Sequence, residues 1–134
     1  MKTIIGIPAF NEEKNIGSLI VNLKKKYDHV LVCDDGSSDT TANIALEMGA
    51  IVVKHSKNQG YGSAIKTIFN ESKKIDCDIL ITFDADGQHQ ISEIDDILKP
   101  IMNNTADIVI GSRFLGKTKN LPKYRKFGIK TIDL

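Results

Sequence analysis

The sequence predicts an α/β domain, a mainly parallel sheet with helices on both faces. Three observations point there. Short apolar runs alternate with stretches of helical period. Most of the runs are near-continuous Ile, Val and Leu, the composition of strands buried on both faces. Polar residues gather directly after each run, and the carboxyl ends of strands are where an open parallel sheet binds its ligands.

The elements follow in order. Thr3–Ile7 reads as the first strand. Ile16, Leu19, Ile20, Leu23 and Tyr27 then recur at steps of three and four, which makes a helix with Lys24–Lys26 facing water. Val30–Cys33 is the second strand. Ser38 is a candidate cap for a second helix through Ala42, Ala45 and Leu46, stopped at Gly49. Ala50–Val53 is the third strand, and Ala64, Ile65, Ile68 and Phe69 mark a third helix. Ile79–Phe83 is the fourth strand. Ser92 opens a fourth helix with Ile94, Ile97, Leu98 and Ile101 on one face, which Pro100 should kink or shorten. Asp107–Ile110 is the fifth strand, and a basic tail of some helical character near Tyr124–Ile132 closes the chain.

Composition bounds the function. With 134 residues, 41% apolar and 26% charged, a single domain with a buried core is expected. A net charge of +1 argues against a dedicated nucleic-acid binder. The charge is unevenly spread: after Ser112, seven basic residues (Arg113, Lys117, Lys119, Lys123, Arg125, Lys126 and Lys130) face Asp133 alone. That stretch is either a solvated tail or a strip that meets phosphate, on a ligand or an anionic membrane surface. We divide the chain accordingly into 1–112 and 113–134. Cys33 and Cys77 lie in apolar runs without zinc or redox spacing and read as core residues in a reducing compartment. The first apolar run contains Lys2 and breaks at Pro8, unlike a signal peptide, and no run approaches the ~18 residues that span a bilayer. A cytoplasmic protein is expected. The apolar pattern of Phe127, Ile129 and Ile132 still runs at Leu134, which suggests a truncated chain.

The chemistry is expected where the five turns open onto one sheet edge. They hold Pro8-Ala9-Phe10-Asn11-Glu12; Asp34-Asp35-Gly36-Ser37-Ser38-Asp39; His55 with Lys57-Asn58-Gln59-Gly60-Tyr61-Gly62; Asp84-Ala85-Asp86-Gly87-Gln88-His89; and Gly111-Ser112-Arg113. Asp84 and Asp86, two apart at a strand end, can point to one side with Ala85 leaving room between them. Adjacent carboxylates repel unless a cation joins them, and oxygen-only ligands favour Mg²⁺ or Mn²⁺, which also grips phosphate oxygens. The bland alternative is a pair of surface aspartates beginning a turn. Asp34 and Asp35 either hydrogen-bond a ribose hydroxyl or base N–H, or shape a tight turn whose Asp39 favours the next helix. Asn11 and Glu12 either touch a nucleoside or serve the first helix as cap and first-turn acid. Gly60 and Gly62 either admit a ligand or only permit a loop. No G-x-G-x-x-G follows strand one, which argues against a dinucleotide enzyme. His55 and His89 lack metal-cluster spacing and are given no catalytic role; His89 is a supporting group or a surface residue.

With these residues in view, five segments resemble the family 2 glycosyltransferases of the GT-A fold, most of all the polyprenyl-phosphate (dolichyl-phosphate) sugar synthases. They are IIGIPAFNEEKNIGSLI, VLVCDDGSSDTT, HSKNQGYGSAI, ILITFDADGQH and ADIVIGSRF, in the family's order over almost the whole chain. The resemblance implies a Rossmann-like nucleotide-sugar-binding domain and inverting transfer from a GDP- or UDP-linked sugar. Pro8, Ala9, Phe10, Asn11, Glu12, Asp34 and Asp35 would line the nucleoside pocket, with Gly60 and Ala85 beside the donor. Asp84 and Asp86 match the metal-binding D-x-D, Gln88 a further metal or phosphate ligand, and Arg113 an arginine that touches phosphate; Arg125 is a looser match. Asp86 and Arg113 are the expected catalytic residues, with Lys57 helping to stabilise the leaving diphosphate.

Two departures stand beside this. Relatives continue well past this length, and those acting on sugar hydroxyls use a later acidic base that is absent after Arg113. A lipid phosphate is already anionic at neutral pH and needs no such base, although truncation explains the absence equally well. The expectation is transfer to a polyprenyl phosphate at the cytoplasmic membrane face. Its rivals are a binding module without turnover and a transferase acting on a saccharide hydroxyl. A sugar-phosphate nucleotidyltransferase would want a Gly-rich basic loop after strand one, which PAFNEE is not.

Overall fold

The structure is a computed structural model in which residues 1–112 are described. The chain divides after Glu93: residues 1–93 form one compact unit, and the chain from Ile94 onward belongs to a second.

The first unit holds β1 (Thr3–Ala9), α1 (Ile16–Lys24), β2 (His29–Asp34), α2 (Thr41–Glu47), β3 (Ile51–Lys54), α3 (Tyr61–Lys74), β4 (Ile79–Thr82) and a short 3-10 turn at Ile91–Glu93. All strand pairs are parallel, in the order β3-β2-β1-β4. The chain winds outward from β1 to β3 and then returns to the other side of β1 for β4. The order thus reverses beside β1, and a crevice forms outside the strand ends at such a reversal.

Side-chain alternation explains the two covered faces. Ile4, Leu31 and Cys33 pack with Ala64 and Ile68 of α3, with Ile65 and Leu80 against the cluster. Gly6 lies on this same face because α3 presses close: a Cβ there would sit 2.4 Å from Ile68 Cγ2. Ile5, Ile7, Val30 and Val32, the alternate positions, are also fully buried, and α1 and α2 pack on β2 with Ile16, Ile20 and Leu23 buried.

Local differences from the expected elements have local causes. The first helix stops at Lys24, and buried Tyr27 follows in a turn closed by its N–H on the Leu23 carbonyl, 2.9 Å. The second helix starts at Thr41 and Ser38 does not cap it. Both the N–H and the hydroxyl of Ser38 donate to Asn11 Oδ1, while Asp39 accepts from the Thr41 N–H and hydroxyl. The third strand sits one residue later than expected, and Leu46 and Phe69 are exposed on their helices.

In the second unit, α4 (Ile94–Met102) has the expected face, with Ile94 buried and Ile97, Leu98 and Ile101 partly so. The helix ends two residues after Pro100, whose carbonyl accepts the Thr105 N–H at 2.9 Å. The expected fifth strand, Asp107–Ile110, is not a strand: these residues are in no ladder, and Ile108 and Ile110 are 80% and 84% exposed. An apolar run becomes a strand only where a neighbour offers pairing and cover, and composition alone supplies neither.

Candidate functional site

The loops after β1 and β2 are sewn together by side chains. The Asn11 N–H donates to Ser37 Oγ at 2.8 Å, and Asn11 Oδ1 accepts from the Ser38 N–H at 3.0 Å. Asn11 needs a left-handed backbone (φ 52°) to do this, a conformation asparagine tolerates better than most residues. The Glu12 N–H donates to Thr41 Oγ1 at 2.9 Å, and Glu13 accepts from Thr40. Asn11 therefore does not cap α1, whose N-cap is Asn15. Glu12 serves that helix start through its backbone carbonyl, which accepts the Asn15 and Ile16 N–H groups.

Asp35 is a buried carboxylate held from three sides. Its N–H donates to the Ala9 carbonyl at 2.8 Å, tying the ends of β1 and β2. Oδ1 pairs with His55 Nδ1 at 2.7 Å and accepts the Gln59 N–H at 2.9 Å, while Oδ2 accepts the Gly60 N–H at 2.8 Å. Burial pushes this carboxyl up, but the His55 contact and the two backbone donors outweigh it and hold it below the ordinary carboxylate range. Gly36 makes the arrangement possible. Its φ is +72°, and a Cβ would lie 2.3 Å from the Lys57 carbonyl carbon, so only glycine lets the loop after β3 close over Asp35.

Beside Asp35 opens a cleft of about 310 Å³, bordered by Pro8, Ala9, Phe10, Asn58, Gly60 and Tyr61. Asp34 turns inward instead. It is fully buried, its Oδ1 accepts the Ser37 N–H at 3.0 Å, and its Oδ2 has no hydrogen-bond partner, with Lys54 Nζ 3.9 Å away. Lys57 is exposed, and its backbone carries the contact with Gly36.

Cys33 Sγ lies 3.6 Å from His55 Nε2, so Cys33, His55 and Asp35 line up like a nucleophilic triad. Burial first, with Asp35 and Asp34 nearby, pushes the thiol up to about 11, against a hydrogen bond from Thr67 that lowers it. A fully buried thiol in that state is no nucleophile.

The turn after β4 carries the second acidic pair. Asp84, its side chain 29% exposed, accepts from the Tyr61 hydroxyl at 3.1 Å and meets His89 Nε2 at 3.0 Å. The His89 ring also packs on Phe83, with centroids 5.4 Å apart. Ala85 is buried, whereas Asp86 is exposed and among the described residues accepts only the Gln88 N–H, 3.0 Å from its Oδ1. Gly87 takes φ 78° to turn the chain. A second cleft of about 330 Å³ adjoins this turn, bordered by Ala85, Gly87, His89, Asn15, Ser18 and Asn22. Among the described residues, no three His, Cys, Asp or Glu side chains converge as a metal cage.

The first unit thus brings the turns after β1, β2, β3 and β4 to one edge. Arg113 and Arg125 lie outside the described residues, as does the segment 113–134. Sequence reasoning left His55 and Tyr61 without a role, yet His55 contacts Asp35 and Tyr61 contacts Asp84. A signal for His55 existed: the runs VLVCDD and IVVKH end together when Asp34 pairs with Lys54, which puts Asp35 beside His55.

Residues 4–131 match the family described as Glycosyl transferase family 2. An uncharacterized protein of Methanocaldococcus jannaschii, MJ1222, is 43% identical over 125 residues, covering 91% of this chain and 51% of that protein. The UDP-N-acetylglucosamine–dolichyl-phosphate N-acetylglucosaminyltransferase of Methanococcus voltae is 36% identical over 142 residues, covering 91% of this chain and 57% of the enzyme. The chain therefore spans about half the length of these relatives. Among solved structures, glucosyl-3-phosphoglycerate synthase from Mycobacterium tuberculosis, in complex with Mn²⁺, UDP and glucosyl-3-phosphoglycerate, superposes with a TM-score of 0.62 at 25% identity, covering 75% of this chain and 39% of that one. Sequence, strand order and neighbours agree: this chain belongs to glycosyl transferase family 2, on a GT-A fold.

Proposed function

We propose that this chain is the donor-binding part of a metal-dependent, inverting glycosyltransferase that moves a sugar from a GDP- or UDP-linked donor to a polyprenyl phosphate. The observation that carries the reading is the joining of two kinds of site. The cleft beside Asp35 suits a nucleoside, and Tyr61, on its border, donates to Asp84 of the acidic turn. A nucleoside in the first would therefore bring its diphosphate toward the second.

The donor set fits a divalent cation. Asp84 and Asp86, with Gln88, supply oxygen ligands only, and Mg²⁺ is commonly held by one or two carboxylates with substrate phosphates and water completing the shell. Two carboxylates without a third are thus what a shared site needs. Asp84 and Asp86 would hold such a cation, which would supply positive charge against the leaving diphosphate. The roles of this chain's own residues follow. Asp35 binds the nucleoside, Pro8, Ala9, Phe10, Asn11, Glu12 and Gly60 shape its pocket, and Asp34 braces the turn. Tyr61 and His89 orient Asp84. Lys57, Arg113 and Arg125 would add charge near phosphate.

The acceptor assignment rests on similarity to the Methanococcus voltae enzyme, whose name gives dolichyl phosphate. Such a phosphate attacks as an anion, and no general base is required. The proposed place of action is the cytoplasmic membrane face, reached peripherally; among the described residues no helix is long and apolar enough to cross a membrane.

A second reading is donor binding without turnover, which the cleft beside Asp35 would serve without any acceptor site. One assay separates the two: radiolabelled UDP-N-acetylglucosamine or GDP-mannose with Mn²⁺ and a polyprenyl-phosphate pool. Labelled lipid supports transfer. Donor binding without labelled lipid supports the second reading.

A further inference from the structure

His55 is buried, belongs to no strand or helix, and contacts groups from three directions. Its Nδ1 lies 2.7 Å from Asp35 Oδ1, its Nε2 2.8 Å from Thr67 Oγ1 on α3, and Cys33 Sγ on β2 is 3.6 Å from Nε2. Asp35 is held ionised and can only accept. Nδ1 must therefore carry a proton, and Thr67 secures the opposite side of the ring.

The carboxylate is left asymmetric by this. Oδ1 accepts two hydrogen bonds, from His55 and Gln59, which uses both of its in-plane lone pairs. Among the described residues Oδ2 accepts one, from Gly60, and retains one lone pair. Asp35 borders the cleft with 5% of its side chain exposed.

From this geometry we infer that His55 is a positioning residue of the donor site. Clamped by Thr67, it fixes the Asp35 carboxylate so that Oδ2 presents its remaining lone pair to an N–H or O–H of the donor's nucleoside. The inference rests on the donor-site reading above and adds to it: the affinity set by Asp35 is controlled from behind, by a residue that does not touch the ligand. Without the imidazole, the carboxylate can rotate toward other partners, and a charge-assisted contact of this kind is worth about tenfold or more in affinity.

The test is calorimetry of UDP-N-acetylglucosamine and GDP-mannose with Mn²⁺ on the parent and three variants, with Mn²⁺-pyrophosphate as a ligand that has no nucleoside. His55→Ala is expected to weaken the preferred nucleotide-sugar at least about tenfold while leaving pyrophosphate within about twofold. His55→Asn, which can keep a donor where Nδ1 stood, restores affinity to within about threefold of the parent. Thr67→Val, nearly isosteric, weakens the donor about threefold or more, and it decides the matter if His55→Ala does not fold. In an Asp35→Ala background, the His55 change adds nothing further. A parent chain that binds neither donor would overturn the donor-site reading and this inference with it. A parent that binds, with His55→Ala and Thr67→Val matching it, or with both losing pyrophosphate equally, overturns this inference alone.

Discussion

The acidic pairs at the ends of β2 and β4 are built in opposite ways. At β2, Asp34 is fully buried and Asp35 nearly so, with three donors on Asp35 alone. At β4, among the described residues, Asp84 is partly exposed and meets the Tyr61 hydroxyl and His89, and Asp86 is exposed with a single backbone donor. The first pair is enclosed by the protein, with Asp35 held by three donors and Asp34 by the Ser37 N–H, and belongs to the fold as much as to a ligand. Among the described residues the second meets no Lys or Arg within ion-pair distance, an arrangement that suits the proposed sharing of a cation with a substrate. The Tyr61 hydroxyl on Asp84 links the acidic turn after β4 to the border of the cleft beside Asp35.

The comparison breaks most visibly through Asp86. Asp86→Ala should lower metal-dependent donor affinity by more than about 100-fold, beyond the usual cost of losing an outer-shell partner, while thermal stability stays within about 0.5 kcal/mol, as at other exposed positions. Donor titration and a melt read both effects. The β2 pair should behave in reverse. Asp35→Ala strands the buried His55 and removes the acceptor of the part-buried Gln59 and Gly60 N–H groups, and is expected to cost about 2–3 kcal/mol, visible in denaturant unfolding even without ligand. Gly36→Ala should cost about 2 kcal/mol for its positive φ and backbone clash, with donor affinity falling because the lid over Asp35 shifts.

Acid sharpens the same contrast. The folded state holds the Asp35 carboxyl below its usual range, so it contributes stability that is present at neutral pH and above its unfolded value, about 3.9. That contribution is lost as pH falls through the lower, folded value. Asp39 acts in the same direction: burial raises it, but the Thr41 hydroxyl and N–H and the Glu13 N–H outweigh that. Unfolding free energy measured downward from pH 5 should therefore fall less steeply in Asp35→Asn than in the parent. The smallest effect is expected from Tyr61→Phe. Removing one hydroxyl from a partly exposed carboxylate should weaken Mn²⁺-dependent donor binding only about threefold to tenfold, with no change in pH profile.

Much of this was legible in the sequence. β1, β2 and β4 are continuous apolar runs, and burial on two faces leaves such runs few alternatives. The D-x-D and the Asp34-Asp35 turn were visible because polar residues clustered where strands ended. The missing parts depended on contacts between distant segments. Ser38 looks like a cap in isolation, but Asn11, 27 residues away, takes its donors. His55 shows its purpose only once β2 and β3 are in register. Asp107–Ile110 has a strand's composition and lacks a partner strand among the described residues.

The central claim is that the β4 carboxylates complete a cation site only with a donor's phosphates. Mn²⁺ affinity measured with and without a nucleoside diphosphate tests it most directly, since the coupling must run both ways. The account predicts weak Mn²⁺ binding by the chain alone and at least about tenfold tighter binding when UDP or GDP is present. Equal affinity in both conditions, or coupling that survives replacement of both Asp84 and Asp86 by alanine, would contradict it.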